Sequence, residues 1–272
     1  VRHASTKHSR AGMKWTALLL DGESFKALDQ TERENSFEKL GALAEVDVGV
    51  VTGRNNFFVL TDEFAKKRDL LKYCRPLVGR TNALPNIFFR ERDLLSYSEK
   101  APCWLLDLKA IDKKEFSQEL LSYIKEGEAA GVNEGYKCRI RKRWYDVPSI
   151  YAPDAFLYRQ IHSAPLLVVN DANAVATDTI HRVRLQRGTD VRRLAACFVN
   201  SMTFAWAEVC GRSYGGGVLE LEPREAEELP VPYTSADLVD PEHVAELVGN
   251  GSLEQAVDYV DELVLVQRLG IS

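Results

Sequence analysis

Apolar positions along the chain fall into short alternating runs and short helical stripes that follow one another without a fixed rhythm. Residues 46–51, Val-Asp-Val-Gly-Val-Val, read as a strand and 57–60 as a second, joined by the polar turn Thr52-Gly53-Arg54-Asn55-Asn56. Thr61 fits the N-cap of a short helix that carries Phe64, Leu70 and Leu71 towards Tyr73. Segments 86–89 and 103–108 are further strand candidates. Asp112 and Glu115 have capping-box spacing, and Phe116, Leu120, Leu121 and Ile124 recur behind them at helical intervals, which predicts a helix ending near Gly131. Segments 166–170 and 180–184 favour strand. Asp190 opens what reads as one long helix, with Val191, Leu194, Ala195, Phe198, Met202, Ala205, Trp206 and Val209 on one buried face.

Further on, 218–221 is a strand and 223–228 a short helix stopped by Pro230 and Pro232, followed by helical segments at 241–248 and 253–269. Ahead of all this, Trp15–Leu20 and Phe25–Leu28 are amphipathic stretches in a polar lead-in. Strands and helices that mix without regular alternation predict an α+β fold, a mixed sheet-and-helix domain, in preference to a doubly wound parallel sheet. The expected organisation is a lead-in over 1–40, a domain over 41–233 and an acidic helical tail over 234–272.

Composition narrows the class. The 272 residues are 45% hydrophobic and 28% charged, as in an ordinary globular protein of one large or two small domains. No apolar run approaches a membrane span, and no signal-peptide core follows the charged first residues. Cys74, Cys103, Cys138, Cys197 and Cys210 are odd in number and lack a Cys-x-x-Cys pair, so reduced thiols in the cytoplasm are expected. The opening Val in place of Met suggests a fragment or a processed chain. Net charge is −5, but it is unevenly spread. Residues 219–272 hold 13 acids and 2 arginines, which leaves 27 acids and 33 bases in the body. A basic body with an acidic tail suits an encounter with a polyanion, although solvated faces also vary in sign.

Several chemistries are excluded by string. No two prolines are adjacent, so the Asn/Asp-Pro-Pro-aromatic loop of amino-group DNA methyltransferases is absent. There is no Gly-x-Gly-x-x-Gly turn and no Gly-x-x-x-x-Gly-Lys phosphate loop. The single Pro-Asp, Pro153-Asp154, lies beyond the last lysine, Lys142, so a Pro-Asp…(Asp/Glu)-x-Lys nuclease core is missing. The five histidines show no metal-ligand spacing. Gly211-Arg212-Ser213-Tyr214-Gly215 does match the serine nucleophile elbow, with Asp240 and His243 in triad order. Its context is wrong: an elbow runs from strand to helix, whereas this segment runs from a predicted helix into Gly216-Gly217 and a strand.

Nucleic-acid chemistry is better represented. Lys137-Cys138-Arg139-Ile140-Arg141-Lys142-Arg143-Trp144-Tyr145 packs five cations beside two aromatics with no acid. If extended, it aligns Lys137, Arg139, Arg141 and Arg143 on one face as a row for phosphates, with Trp144 or Tyr145 to stack; the alternative is an edge strand with Trp144 in the core. Thr179-Ile180-His181-Arg182-Val183-Arg184, behind Asn170, Asn173 and Thr177, offers residues that can read guanine or adenine. The turn 52–56 is weaker, a plain hairpin being the alternative. Gly215-Gly216-Gly217 permits close backbone approach to a ligand, or forms an unusual turn.

Together these segments resemble a family. Val48-Gly49-Val50-Val51-Thr52-Gly53-Arg54-Asn55-Asn56-Phe57-Phe58-Val59 is similar to the opening of the target recognition domain of TaqI-like, γ-class N6-adenine DNA methyltransferases. Trp144-Tyr145-x-Val-Pro148 and Ala176-Thr177-Asp178-Thr179-Ile180-His181-Arg182-Val183 fit its middle and later parts. The run from Phe198-x-Asn200-Ser201 through 211–223 to Leu229-Pro230-Val231-Pro232 fits its end.

The resemblance implies the C-terminal specificity part of a bacterial or archaeal restriction-modification enzyme. Its partners would be double-stranded DNA and a methyltransferase catalytic domain, in cis or as a separate subunit. That catalytic domain, expected to carry S-adenosylmethionine and to flip the target adenine, is not in this chain, so the chain alone is expected to be non-catalytic. Lys137, Arg139, Arg141, Lys142 and Arg143 are expected at phosphates, with Trp144 and Tyr145 beside them. Thr52, Arg54, Asn55, Asn56, His181, Arg182, Arg184, Arg212 and Tyr214 are the candidates for groove contacts and register. The competing reading is a protein-assembly subunit whose basic face meets an acidic partner, with the acidic tail covering that face in the free state.

Overall fold

The computed structural model describes residues 22–214 and 218–271. The stretch Trp15–Leu20 and the triple glycine 215–217 lie outside the described residues; Phe25 and Leu28 fall on the helix Gly22–Glu34. The fold is α+β, and its apolar residues gather into two cores. The first is built on a five-stranded sheet in the order Ala44–Val48, Ile180–Leu185, Ala155–Tyr158, Leu167–Asn170 and Phe88–Phe89. Neighbours are antiparallel except the last pair. Ala155-Phe156-Leu157 and Leu167-Val168-Val169 are buried at every position, the pattern of inner strands covered on both faces.

The second core lies beneath a four-stranded sheet ordered Val175–Ala176, Cys74–Val78, Trp104–Leu106 and Val59–Leu60. It collects Val50, Phe57, Phe58, Leu105, Leu120, Tyr123, Tyr145, Val147 and their neighbours. The chain passes between the two at a narrow junction. Val50 bridges Thr177 in parallel, its N–H donating to the Ala176 carbonyl at 2.7 Å, while Thr177 N–H donates to the Val78 carbonyl at 3.2 Å.

Several local expectations change. Residues 57–60 are not one strand: Asn55–Phe58 is a helical turn, with Phe57 and Phe58 N–H both donating to the Arg54 carbonyl, and only Val59–Leu60 is strand. A strand would have sent the two phenylalanines to opposite faces. The turn instead sends both inward, Phe57 stacking on Tyr123 at 4.5 Å between ring centroids. Asp112 caps only the short turn Lys113–Glu115, and Ser117 caps the helix Gln118–Ala129.

The long helix expected from Asp190 is two helices, Val191–Cys197 and Ser201–Cys210. Asn200 breaks it. Its side-chain Oδ1 accepts from Thr203 N–H at 2.8 Å and its side-chain Nδ2 donates to the Cys197 carbonyl at 2.7 Å. An asparagine that can bond local backbone in this way competes with helix continuation and caps the next segment.

The C-terminal helices Pro241–Gly249 and Leu253–Asp261 bury Val244, Ala245, Val248, Ala256 and Val260 in the first core. Glu242 ties them down by reaching Arg90 at 2.6 Å and Arg192 at 3.3 Å.

His181, on the strand Ile180–Leu185, is fully buried, with Nε2 2.7 Å from the Leu221 carbonyl and Nδ1 unpaired. Burial holds its imidazole below the ordinary 6.5; the Leu221 carbonyl opposes this and Arg159 adds to it. The neutral ring is therefore the folded form. Stability from this site is complete above 6.5 and is lost as pH falls through the lower folded value. His181→Gln, which keeps a donor for Leu221, is expected to flatten the decline in melting temperature between about pH 6.5 and pH 5. Parallel thermal melts of the two proteins across that window check this; identical slopes would assign the acid sensitivity elsewhere.

Candidate nucleic-acid interface

The segments 52–56 and 136–143, eighty residues apart in sequence, meet at the edge of the second core. Gly53 has φ of 80° and lies so near Lys137 that a Cβ on it would come within 2.5 Å of the Lys137 Cβ. A Cβ on Gly135 would meet the Arg54 Nε at 2.8 Å. Gly53 is thus required by close approach and by its backbone, whereas at Gly135 the obstacle is the end of the flexible Arg54 side chain, which can move aside.

Arg141 bolts the two segments together. Its guanidinium donates to the carbonyls of Thr52 at 2.7 Å, Val51 at 3.2 Å and Trp144 at 3.4 Å. Burial lowers its pKa, opposed by nearby Cys138 and Asp146. Thr52 is buried and organises the loop from within: its hydroxyl donates to the Asn55 side-chain oxygen Oδ1 and accepts from Arg54 N–H at 3.1 Å.

The basic segment is not an extended row. Tyr136–Arg139 is a single helical turn with Cys138 facing the core, and turns follow to Tyr145. The alternation that would align Lys137, Arg139, Arg141 and Arg143 is therefore lost. Arg143 turns inward like Arg141, donating to the carbonyls of Ile111 at 3.0 Å and of Leu108 and Lys109 at 3.1 Å. It also pairs with Asp146 at 2.8 Å, which raises its pKa.

Trp144 packs on Phe57 at 5.0 Å and donates to Glu128 at 3.0 Å; Tyr145 is buried against Phe116. Both aromatics pack in the second core, Tyr145 buried and Trp144 partly buried. What remains at the surface is Arg54, Asn55, Asn56, Lys137, Arg139 and Lys142. Among the described residues, none of those four cations is ion-paired with a carboxylate.

The other candidates lie apart. Arg182 is only 3% exposed, paired with Asp47 at 2.7 Å, bonded to the Ser149 carbonyl at 2.5 Å and stacked 4.0 Å from the Tyr151 ring centroid. With His181 it supports the sheet. Arg184 is exposed, near Glu45 at 3.2 Å. Arg212 and Tyr214 are exposed on the strand Arg212–Tyr214, which pairs with Val218–Glu220; Arg212 bonds Glu225 at 2.9 Å. Asn170 serves its own loop through the Pro153 and Ala174 carbonyls. Sequence reasoning missed Tyr136 and Ile140, which are exposed beside the cations. Their spacing of four was the available signal, and it is visible only if the segment is read as helix.

The serine-elbow string has no elbow geometry. Ser213 is mid-strand, after the helix Ser201–Cys210 and not before one. Asp240 is occupied as the N-cap of Pro241–Gly249, and His243 faces Glu246 at 3.9 Å and Tyr259. Among the described residues, no hydrogen bond joins either to Ser213. A fluorophosphonate probe is expected to leave Ser213 unlabelled, as peptide mapping would show; adduct formation there would restore a hydrolase reading. Among the described residues no group of three or more His, Cys, Asp or Glu side chains is placed to hold a metal ion, and no helix is long and apolar enough to cross a membrane.

This arrangement of two cores and mixed sheets recurs in a restriction enzyme. The type IIG restriction endonuclease BpuSI matches with a TM-score of 0.54 at 12% identity, covering 88% of this chain and 33% of that one. At such identity the likeness is one of fold, and this chain spans about a third of that enzyme's length. Residues 12–265 match the C-terminal domain of the type II methyltransferase M.Eco57I, and the chain belongs to that family. No curated protein matches it. The resemblance to the C-terminal part of a restriction-modification methyltransferase thus holds.

Proposed function

We propose that this chain is the double-stranded DNA target recognition part of an N6-adenine methyltransferase of a bacterial or archaeal restriction-modification system. The observation that carries this is the meeting of the 52–56 loop with the 136–142 turn, which leaves Arg54, Lys137, Arg139 and Lys142 exposed and, among the described residues, without carboxylate partners. Cations free of internal pairing are available to displace counterions from phosphates. Asn55 and Asn56 are exposed beside them; an amide can read adenine, and Asn56 is the better candidate because the Asn55 side-chain oxygen already accepts from the Thr52 hydroxyl. Arg184, Arg212 and Tyr214 are candidates for contacts further along the duplex. Thr52, Arg141, Arg143, Trp144 and Tyr145 hold the loop and the turn in place, His181 and Arg182 support the sheet, and none of the seven is assigned a DNA contact.

Among the described residues, the glycines after the strand Ala44–Val48 offer no seat for S-adenosylmethionine. The two glycines following the strand Ala44–Val48 are filled by neighbours, Gly49 by Thr177 and Gly53 by Lys137, and leave no cradle. No methyl-transfer step is therefore assigned to this chain; the cofactor belongs with the catalytic domain that this part would serve, in cis or as a separate subunit. The acidic tail does not favour the assembly reading, since Glu242 and Asp261 engage Arg90, Arg192 and Ser201 on the first core and not the 137–142 turn.

Fluorescence anisotropy with a random-sequence duplex tests the proposal. Four phosphate contacts predict binding whose logarithm falls with log salt at a slope of about −3 to −4. No anisotropy change at micromolar protein and low salt would reject it.

A further inference from the structure

Two apolar side chains on the basic turn have no cover. Tyr136 is 66% exposed and Ile140 62%. They are four residues apart on a helical turn, the Ile140 N–H donating to the Tyr136 carbonyl at 3.4 Å, so both project to the same side. Cys138 between them points into the second core. Val51, 39% exposed, belongs to the facing loop, to which Arg141 bonds directly. Single exposed apolar residues are common on any surface. This group differs in its setting, an apolar ridge flanked by Lys137, Arg139 and Lys142 on its own segment and by Arg54 across the loop.

The ridge is also held firmly. Arg141 fixes its C-terminal side to the Val51, Thr52 and Trp144 carbonyls, the buried Cys138 fixes its underside, and Gly53 is packed against Lys137. A side chain that must push into another molecule needs such backing, because a loose turn would fold away. Lys137 lies 5.9 Å from the Tyr136 ring centroid, and cations with no carboxylate partner among the described residues select a polyanion as the occupant. On a nucleic-acid duplex, the apolar surface between two phosphate rails is the stacked bases.

We propose that Tyr136 and Ile140 form a wedge that presses between base pairs of the bound duplex while Lys137, Arg139, Lys142 and Arg54 hold the flanking phosphates. The inference rests on the DNA-binding reading above and adds deformation of the duplex to it. Insertion between base steps costs unstacking, so the wedge favours duplexes in which a step is already open.

Equilibrium competition between a fully paired duplex and the same duplex with a one-nucleotide bulge tests this with the whole chain. The unmodified protein is expected to prefer the bulged duplex by about tenfold. Tyr136→Ala with Ile140→Ala should bring the two duplexes within about twofold while the salt slope stays as it was, since no phosphate contact is removed. Both side chains are exposed, so the melting temperature should not move. Lys137→Gln with Arg139→Gln and Lys142→Gln should weaken binding to both duplexes and leave their ratio intact.

Equal binding of the two duplexes by the unmodified protein overturns the wedge but not DNA binding; no binding to either removes both. A double variant that keeps the bulge preference but no longer associates with a methyltransferase catalytic domain would make the ridge a protein-contact face, and the wedge would be wrong.

Discussion

Gly49→Ala is expected to cost at least about 3 kcal/mol, enough to lower the melting temperature by roughly 6–12 °C in a chain of this size. The cause is space and not backbone angle. A Cβ on Gly49 would stand 1.9 Å from the Thr177 carbonyl oxygen and 2.7 Å from that of Ile180. Both obstacles are main chain, so no rotamer change relieves them. They are also the junction of the two sheets. Ala176 and Thr177 pair with Val50 and Val78 there, and Ile180 begins an inner strand of the first sheet. Pushing Thr177 away would loosen the hydrogen bonds that tie the 52–56 loop to the body. The variant should therefore lose DNA binding in step with stability. Thermal melts and anisotropy on the same samples check this; a variant as stable as its parent would mean that the junction yields without cost.

What could be read from the sequence follows from which interactions are local. The strands 167–170 and 180–185 are visible because an apolar run, or β-branched residues beside it, specify them without reference to distant partners. Thr61 and Asp190 declare their helices for the same reason: a cap bonds to backbone two or three residues away. The basic segment 137–145 was legible as a concentration of charge and not as a shape. Its conformation is set by carbonyls of Val51, Thr52, Leu108, Lys109 and Ile111 that Arg141 and Arg143 seek out.

An arginine committed to main-chain carbonyls and one free for phosphate are the same letter in the sequence. The buried His181 and Arg182 carry the same lesson, since their partners Leu221 and Asp47 lie 40 and 135 positions away. The family was nevertheless recognisable. Short strings such as the one from Val48 to Val59 keep their order, and that string builds both the junction and the loop.

Among the cationic residues of that segment, the structure separates two groups that substitution should distinguish. Lys137→Gln, Arg139→Gln and Lys142→Gln in one protein are expected to weaken duplex binding on the order of a hundredfold at about 0.1 M salt. The log–log salt slope should become shallower by about 2 to 3, roughly 0.9 for each phosphate contact removed. The fold should be untouched, because these side chains are exposed and bond to no carboxylate or core carbonyl among the described residues.

Arg141→Gln should behave in the opposite way. Its guanidinium serves the Val51, Thr52 and Trp144 carbonyls, and removing it leaves two part-buried acceptors and one exposed acceptor without their donor, at a cost of about 1–2 kcal/mol. Its effect on affinity should follow from a displaced loop, with the salt slope of the remaining folded protein nearly unchanged. Arg143→Gln belongs with Arg141, since it loses three carbonyl contacts and the Asp146 pair. Paired denaturant titrations and salt-series binding curves separate the groups. Should Arg141→Gln leave stability intact and flatten the salt slope instead, Arg141 would be a phosphate ligand that swings out on binding, and the loop's anchorage would have to come from Thr52 and Asn55 alone.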